Sequence, residues 1–359
     1  MHTFARSGPY IRTRRDTRFV MLAFILATLP AAGIGLWSIG RLVLLTQAAD
    51  PAEMLPAIDI WQLRALDALG ISGNSSSVIA GSLLGVLLLA PALLATLAVS
   101  RAWAEIFARV RARPVDPGWA LTAWLFVLLL PAGMPLHLVT LALSFGLVFG
   151  CYVFGGTGRY LVNPALLGSV FLLVAYPSQF VPGVWILGTA HATGWETVAV
   201  LGPDQSGVAW IGALFGTDIG AFGTSSAAAC GLGALLLVVF GIGSWRIMLG
   251  ALGGVVLVGL MFTDVPWYWQ PVLGSFAFVA AFIATDPTTM ALTATGRWLQ
   301  GALFGALTIL LRMLNPEHPE GTLFALLLAT LVTPAFDHLV TRRQIQLRQK
   351  LHAHDTIAT

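Results

Sequence analysis

Charged residues are scarce in this chain. Asp, Glu, Lys and Arg together make up 10% of its 359 residues, whereas soluble globular domains carry about 25%. Hydrophobic residues reach 57%, and the mean hydropathy is +0.84. This composition excludes a soluble globular protein and predicts an all-α polytopic membrane protein with small extramembrane parts. The net charge of +3 gives no indication of nucleic-acid binding.

Cysteine is nearly absent as well. The chain has two, Cys151 and Cys230, both in or beside apolar runs, and no CxxC pair. That count excludes a disulfide framework and gives no iron–sulfur motif. We interpret both residues as small buried hydrophobic side chains.

Long apolar runs predict about ten transmembrane helices in a single membrane domain, 1–359. The predicted spans are 19–45, 77–99, 118–132, 134–152, 164–178, 224–243, 246–263, 270–285, 298–313 and 321–340. A basic arm, 1–18, precedes the first run, which lacks a convincing signal-peptide cleavage site and is interpreted as a retained helix. The other extramembrane parts are an outer loop, 179–223, and a tail, 341–359.

The basic residues support this topology. With the N-terminus inside and ten alternating spans, sixteen of the nineteen Lys and Arg residues fall on the cytoplasmic side. Cytoplasmic segments of membrane proteins carry this excess. We therefore expect both termini in the cytoplasm and a location in a bacterial inner membrane.

The chain contains two segments with a similar sequence pattern. Both "GRYLVNPALLGSVFLLVAYP" (158–177) and "LRMLNPEHPEGTLFALLLATLV" (311–332) place Arg and Asn-Pro before an apolar helix. Five predicted helices separate the two segments, so they would lie on opposite sides of the membrane. This pattern predicts an inverted repeat of five plus five helices. A chance resemblance between two helix-start signals is the alternative.

The first polar stretch beside a span is "FGGTGRYLVNPALLG", 154–168. Gly156 and Gly158 allow sharp turning and close approach, and Asn163 can cap a helix that begins with proline. A helix start near Arg159 favours an anionic or electron-rich group. A tight turn packed against neighbouring helices explains the same residues equally well.

Two further polar stretches border predicted spans. "ATDPTTMALTATGR" (284–297) contains Asp286 and Thr288, and "GTDIGAFGTSSAAA" (216–229) contains Thr224 and Ser225. A helix cap explains the hydroxyl groups of each stretch. Contact with a cofactor is the alternative for both, and a cation contact is a further one for the first, because an ionisable group near membrane depth is a functional hypothesis by default.

Together these stretches resemble the NqrB/RnfD family. That family comprises the membrane flavoprotein of the sodium-pumping NADH:quinone oxidoreductase (its B subunit) and the related D subunit of RNF complexes. "FGLVFGCYVFGGTGRYLVNPALLGSVFLLVAYP", "GTDIGAFGTSSAAACGLGALLL" and "ATDPTTMALTATGRWLQGALFGALTILLRMLNPEHPEGTLFALLLATLVTPAFDHLV" carry the resemblance, as does "YIRTRRDTRFVMLAFILATLPA" at the start. It covers nearly the whole chain.

The resemblance implies a ten-helix electron-transfer subunit with FMN linked to a threonine in the outer loop. The matching segment is "LGTAHAT", 187–193, so Thr193 would carry the FMN phosphate and His191 would lie beside it. Leu187, Ala190, His191 and Gly194 depart from the family motif. Covalent flavin, non-covalent flavin and no flavin therefore all stay open. The resemblance also allows a riboflavin near the cytoplasmic side, with 154–164 and 285–297 as its walls.

The implied function is that of a redox subunit in an ion-translocating NQR- or RNF-type complex. The chain has no nucleotide-binding or iron–sulfur motif, so it would not be active alone and would need membrane and soluble partner subunits. A flavin transferase is a further expected partner, and the lipid bilayer surrounds the protein. The alternative is a flavin-free small-solute or ion channel or transporter on the same scaffold. The candidate cofactor-binding residues are Thr193, His191, Arg159, Gly156, Gly158, Asn163, Thr224, Ser225, Asp286 and Thr288.

Overall fold

The computed structural model describes residues 17–48, 61–70, 77–177, 209–217, 220–262, 265–314 and 321–358. Across these ranges the regular structure is helical, with no strand. The helices are α1 (Thr17–Ala48), α2 (Trp61–Ala68), α3 (Val78–Val110), α4 (Trp119–Leu129), α5 (Leu136–Phe145), α6 (Pro164–Ala175), α7 (Trp210–Phe215), α8 (Ala227–Val239), α9 (Trp245–Phe262), α10 (Phe276–Phe278), α11 (Ala294–Leu314) and α12 (Gly321–Ala358). Two π-helical segments continue α5 and α10, at Gly146–Tyr152 and Val279–Ile283.

Three helices contain segments that are long and apolar enough to cross a bilayer: Thr17–Leu45, Val78–Val110 and Gly321–Leu347. Five shorter apolar helices accompany them: Trp119–Leu129, Leu136–Tyr152, Pro164–Ala175, Ala227–Val239 and Trp245–Met261. The protein is therefore an integral membrane protein whose described residues form helices and connecting turns. Short helices suit a membrane protein where neighbouring helices, rather than lipid, surround their ends.

Each of the ten predicted spans contains a helix, and the bounds differ most in three places. Helix α3 continues to Val110 instead of ending at 99, because charged pairs one turn apart support its solvated end: Glu105 lies 2.8 Å from Arg101 and 3.7 Å from Arg109. The last helix continues through Ala358. The segment predicted at 270–285 becomes helical only at Phe276.

A buried arginine holds the non-helical start of that segment. The Arg312 guanidinium donates hydrogen bonds to the carbonyl oxygens of Gln270 and Leu273, both at 2.8 Å. Its Nη1 also reaches Oε1 of Gln270 at 2.9 Å. Backbone carbonyls that a helix would have satisfied are thus satisfied by a side chain from α11.

Glycines allow several helices to pack with their backbones in contact. Helix α1 packs against α3 and α8, and α9 packs against α11. A Cβ atom at Gly254 of α9 would lie 2.2 Å from the carbonyl oxygen of Ala302 in α11, whereas one at the neighbouring Gly253 would meet nothing within 4 Å. Small residues at such crossings are typical of membrane helices.

We expect Gly254→Ala to destabilise the protein and Gly253→Ala to leave it nearly unchanged. The added methyl group at 254 forces α9 and α11 apart, which costs about 1–3 kcal/mol by analogy with overpacked cores. Thermal unfolding of the purified protein in detergent measures the difference. Equal melting temperatures for the two variants would contradict the close contact between these helices.

Candidate functional site

Three glycines shape the turn that follows the first π-helix. Gly155, Gly156 and Gly158 have φ values of +121°, +99° and +87°, a region that residues with a Cβ atom rarely adopt. At Gly156 a Cβ atom would also lie 2.6 Å from Oδ2 of Asp116. The turn therefore needs glycine for both its conformation and its closest contact.

Asp116, just before α4, fixes this turn in place. Its Oδ2 accepts a hydrogen bond of 2.5 Å from the Thr157 amide. Its Oδ1 accepts bonds from the Thr157 hydroxyl and, at 3.0 Å, from the amide of Gly118. One carboxylate thus ties the glycine turn to the beginning of α4.

Asn163 performs two tasks at the end of the turn. Its Oδ1 accepts hydrogen bonds from the amides of Ala165 at 2.9 Å and Leu166 at 3.4 Å, which caps α6, and Pro164 occupies the first helical position. Its Nδ2 donates a bond of 2.7 Å to Oδ2 of Asp286. The helix cap and the contact to the second turn use opposite ends of one amide.

Asp286 lies in the second turn, which follows the π-helix Val279–Ile283. Besides the bond from Asn163, its Oδ2 accepts a bond of 2.9 Å from the Tyr160 hydroxyl. Its Oδ1 accepts one of 3.0 Å from the Thr288 amide. Three donors from two distant parts of the chain therefore converge on one carboxyl group.

Burial is the main influence on the acid–base properties of this group. Asp286 is 7% exposed, and its burial raises the pKa of the carboxyl above the ordinary value, while the bonds from Thr288, Tyr160 and Asn163 act in the opposite direction. Burial, followed by the charge of Asp286, raises the pKa of Tyr160 well above its usual range. Tyr160 is thus held as the proton donor of this pair.

A cavity of about 270 Å³ lies between the two turns and helices α1 and α4. Apolar surface makes up most of its wall, with Phe24, Leu125 and Phe282 among the residues that provide it. The remaining lining residues are Thr17, Val20, Met21, Gly118, Leu121, Thr122, Thr157, Gly158, Tyr160, Asn163, Asp286, Pro287 and Thr288. An apolar wall with a few convergent polar groups is the usual composition of a small-molecule site.

The structure brings together four of the residues that the sequence singles out in the two turns. Gly158, Asn163, Asp286 and Thr288 all line the cavity. Gly156 contacts Asp116 instead. The Arg159 side chain is exposed and lies over Gly155, with its Cδ 3.1 Å from the place a Cβ atom would take there, so it is not part of the cavity wall.

The far half of the second stretch does not contribute to the cavity. Asp337 of α12 accepts hydrogen bonds from the Thr293 hydroxyl at 2.6 Å and from the Leu292 amide at 2.7 Å. Gly296 then donates to the Thr293 hydroxyl at 3.0 Å. Residues 292–297 thus form the start of α11 and its anchor on α12.

Thr224 and Ser225 lie apart from the cavity, in the turn before α8. The Ser225 hydroxyl donates to the carbonyl of Ala221 at 2.9 Å, and Thr224 Oγ1 accepts a bond of 3.0 Å from the Ala221 amide. Ser226, the third of the consecutive hydroxyl residues at this helix start and not a candidate cofactor contact, caps α8 by accepting a bond of 3.2 Å from the Ala229 amide. Thr193 and His191 lie outside the described residues.

Sequence reasoning missed Tyr160 and Asp116. Tyr160 lies inside the quoted "GRYLVNP" segment, and a hydroxyl between a glycine turn and a helix cap was a usable signal. Asp116 precedes its partner Thr157 by 41 residues, and nothing local in the sequence connects the two. Among the described residues no group of three or more His, Cys, Asp or Glu side chains could hold a metal ion.

Comparison with known proteins identifies what the chain is similar to. The model of the NQR2, RnfD, RnfE family matches residues 4–346. The B subunit of the Na(+)-translocating NADH-quinone reductase from Ectopseudomonas mendocina is 37% identical over 359 residues, which cover 96% of this chain and 89% of the relative. The proteins of the same description from Chromohalobacter salexigens and Azotobacter vinelandii are each 36% identical, over 99% and 96% of this chain and 89% of each relative.

We expect Asn163→Asp to lower the stability of the protein by about 1–3 kcal/mol, because it keeps a good helix cap but removes a donor to a buried carboxylate. The two carboxyl groups would share a proton that the folded variant binds more tightly than the unfolded chain does. The loss of stability therefore grows as the pH rises and that proton is released. Thermal unfolding at two pH values measures it.

Adding Asp286→Asn to that variant restores one donor and one acceptor, and we expect it to recover much of the melting temperature. Asn163→Ser, which keeps the cap alone, is the matched control. If the double variant is less stable than Asn163→Asp, the pair does not join the two turns.

Proposed function

Because the chain belongs to the NQR2, RnfD, RnfE family, we propose that it is the membrane electron-transfer subunit of an NQR- or RNF-type ion-translocating oxidoreductase complex. The cavity between the two polar turns is the observation that carries this proposal. It has the composition of a cofactor site, and it lies between the two stretches that the sequence marks as walls. Partner subunits would supply the electrons, since the chain has no nucleotide-binding or iron–sulfur motif.

The residues around the cavity fit a flavin of the riboflavin type. Phe24 and Phe282 offer apolar contact to a flat ring, and Asn163, Thr288 and Asp286 offer hydrogen-bonding groups at one side. The exposed Gly158 and Pro287 lie in the wall, so a polar chain attached to the ring could leave through the mouth. When bound, a flavin supplies the redox chemistry, and the chain orients it and excludes water.

We propose a second flavin, FMN, on the outer face at Thr193. The loop around it carries no Lys or Arg from 179 to 223 and contains Trp185, Trp195 and Trp210, which could shield a ring. His191 would lie beside the phosphate. Thr224 is a further candidate contact, because its hydroxyl accepts a bond and retains its own proton for a ligand.

The ten-span, five-plus-five inverted arrangement is also a proposal, with both termini cytoplasmic. It is supported by similar ties in the two halves. Thr157 of the first half bonds to Asp116 and so to the start of α4, while Arg312 of the second half bonds to Gln270 and Leu273 before α10. In each half, the segment before the Asn-Pro pair is thus tied to the start of a short helix.

We expect a fluorescent band on a denaturing gel when the protein is made with its partner subunits and a flavin transferase, and no band for Thr193→Ala. Only covalent flavin survives denaturation. Thr189→Ala, four residues earlier in the same loop, is the matched control and should keep the fluorescence. A dark wild-type band with yellow native protein would reject the covalent attachment, and a colourless wild-type protein would favour the channel or transporter alternative.

Filling the cavity between the two polar turns, called the inner cavity from here on, tests the riboflavin-type flavin separately from the FMN. Thr122 lines the cavity from α4, and we expect Thr122→Trp to reduce the flavin released by acid denaturation by at least about fivefold, since a tryptophan occupies the site. Ala120→Trp on the same helix lies outside the lining residues and should keep it. Equal release from both variants would place any non-covalent flavin elsewhere.

A further inference from the structure

A second cavity, also of about 270 Å³, lies between α2, α3 and the turn that joins α4 to α5. None of its lining residues belongs to the inner cavity. Its walls are Trp61 and Gln62 of α2, Leu88, Pro91 and Ala92 of α3, residues 130–136 except Ala132, Val139 of α5, and Phe222. We call it the proline-turn cavity, after Pro131 and Pro135 in its wall.

The depth of this cavity follows from the length of α4. Its 11 residues span about 16 Å, which is roughly half of a 30 Å hydrocarbon core. In the proposed ten-span arrangement α4 starts at one membrane surface, so the turn after it lies within the thickness of the membrane. Irregular backbone at that depth occurs where protein covers it or where it lines a cavity, and here it does the latter.

One buried amide gives the cavity its polar character. Gln62 is 8% exposed, and within the described part of the chain its Oε1 has no hydrogen-bond partner. Among the described lining residues, the Gln62 amide and the indole N–H of Trp61 are the only polar side-chain groups. Leaving a buried amide oxygen without a donor is unfavourable, so the amide favours a ligand that brings a donor.

Volume and polarity together select the class of ligand. A bound water needs two to four polar partners, whereas an apolar cavity of about 150 Å³ already binds benzene. The proline-turn cavity is larger than that, so an aromatic ring with a short chain fits inside it, and its single amide limits the hydrogen bonds that a ligand can make there. A single ring with a short chain and one hydroxyl group matches both its size and its one amide.

We propose that the proline-turn cavity is a binding site for an uncharged, single-ring alcohol or phenol that enters from the lipid phase and donates a hydrogen bond from its hydroxyl group to Oε1 of Gln62. The rim supports entry from the side, because Trp61 is 56% and Leu136 44% exposed. The terminal amide rotates without changing the shape of the wall, which lets either its oxygen or its nitrogen face the ligand. The proposal does not depend on the flavin sites.

Photolabelling tests the proposal on the full chain in lipid nanodiscs. The probe is 4-propylphenol with a diazirine on its propyl chain, and the comparison probe is the corresponding propylbenzene, which lacks the hydroxyl. We expect labelled peptides from 88–92 and 130–139, and we expect an excess of unlabelled 4-propylphenol to suppress the labelling. Labelling spread evenly over the membrane helices, or unaffected by the competitor, would overturn the site.

Two variants separate the hydroxyl contact from the cavity itself. Gln62→Leu keeps a similar volume and should reduce labelling by the phenol about two- to tenfold, which corresponds to one hydrogen bond, while labelling by the propylbenzene stays unchanged. Leu136→Trp alters an exposed rim residue and should reduce labelling by both probes. Equal loss of both probes in Gln62→Leu, with unchanged melting temperature, would contradict the role of the amide.

Discussion

The carboxyl group of Asp286 makes the hydrogen bonds on which the two polar turns of this protein depend. It accepts hydrogen bonds from Asn163, Tyr160 and Thr288, and it is almost completely removed from solvent. A buried carboxylate is costly unless donors satisfy it, and bonds to a charged group contribute about 1.5–3 kcal/mol each. Because two of its donors come from the first turn, the same bonds hold the two turns together. The cavity exists between them as a consequence.

Local interactions around this contact position the rest of the site. The side-chain oxygen of Asn163 accepts from the first amides of α6, which directs its nitrogen toward Asp286. Pro164 fixes the direction of that helix. Asp116 holds the other end of the glycine turn at α4. The two carboxylates therefore fix both ends of one short segment, and the aromatic side chains of α1 and the second π-helix complete the wall.

The sequence predicted well those features that depend on residues close together in the chain. Apolar length placed a helix in each of the ten intervals, and Asn-Pro marked the start of α6 at the correct residue. Glycines with positive φ were found because few other residues suit that backbone. The features that it missed are contacts across the chain. Asn163 and Asp286 lie 123 residues apart, and three consecutive hydroxyls did not reveal that Ser226, rather than Thr224 or Ser225, caps α8.

The two π-helical segments fix the number of residues that the chain can have before each polar turn. Bonds between residues five apart join Val148 to Val153, Cys151 to Gly156 and Val279 to Ala284, so each segment holds one residue more than an α-helical path would need. Winding the same residues as a regular α-helix would rotate everything beyond the segment by about 100°. Asp286 would then point away from Asn163. The extra residue in each π-helical segment is therefore part of the geometry of the site.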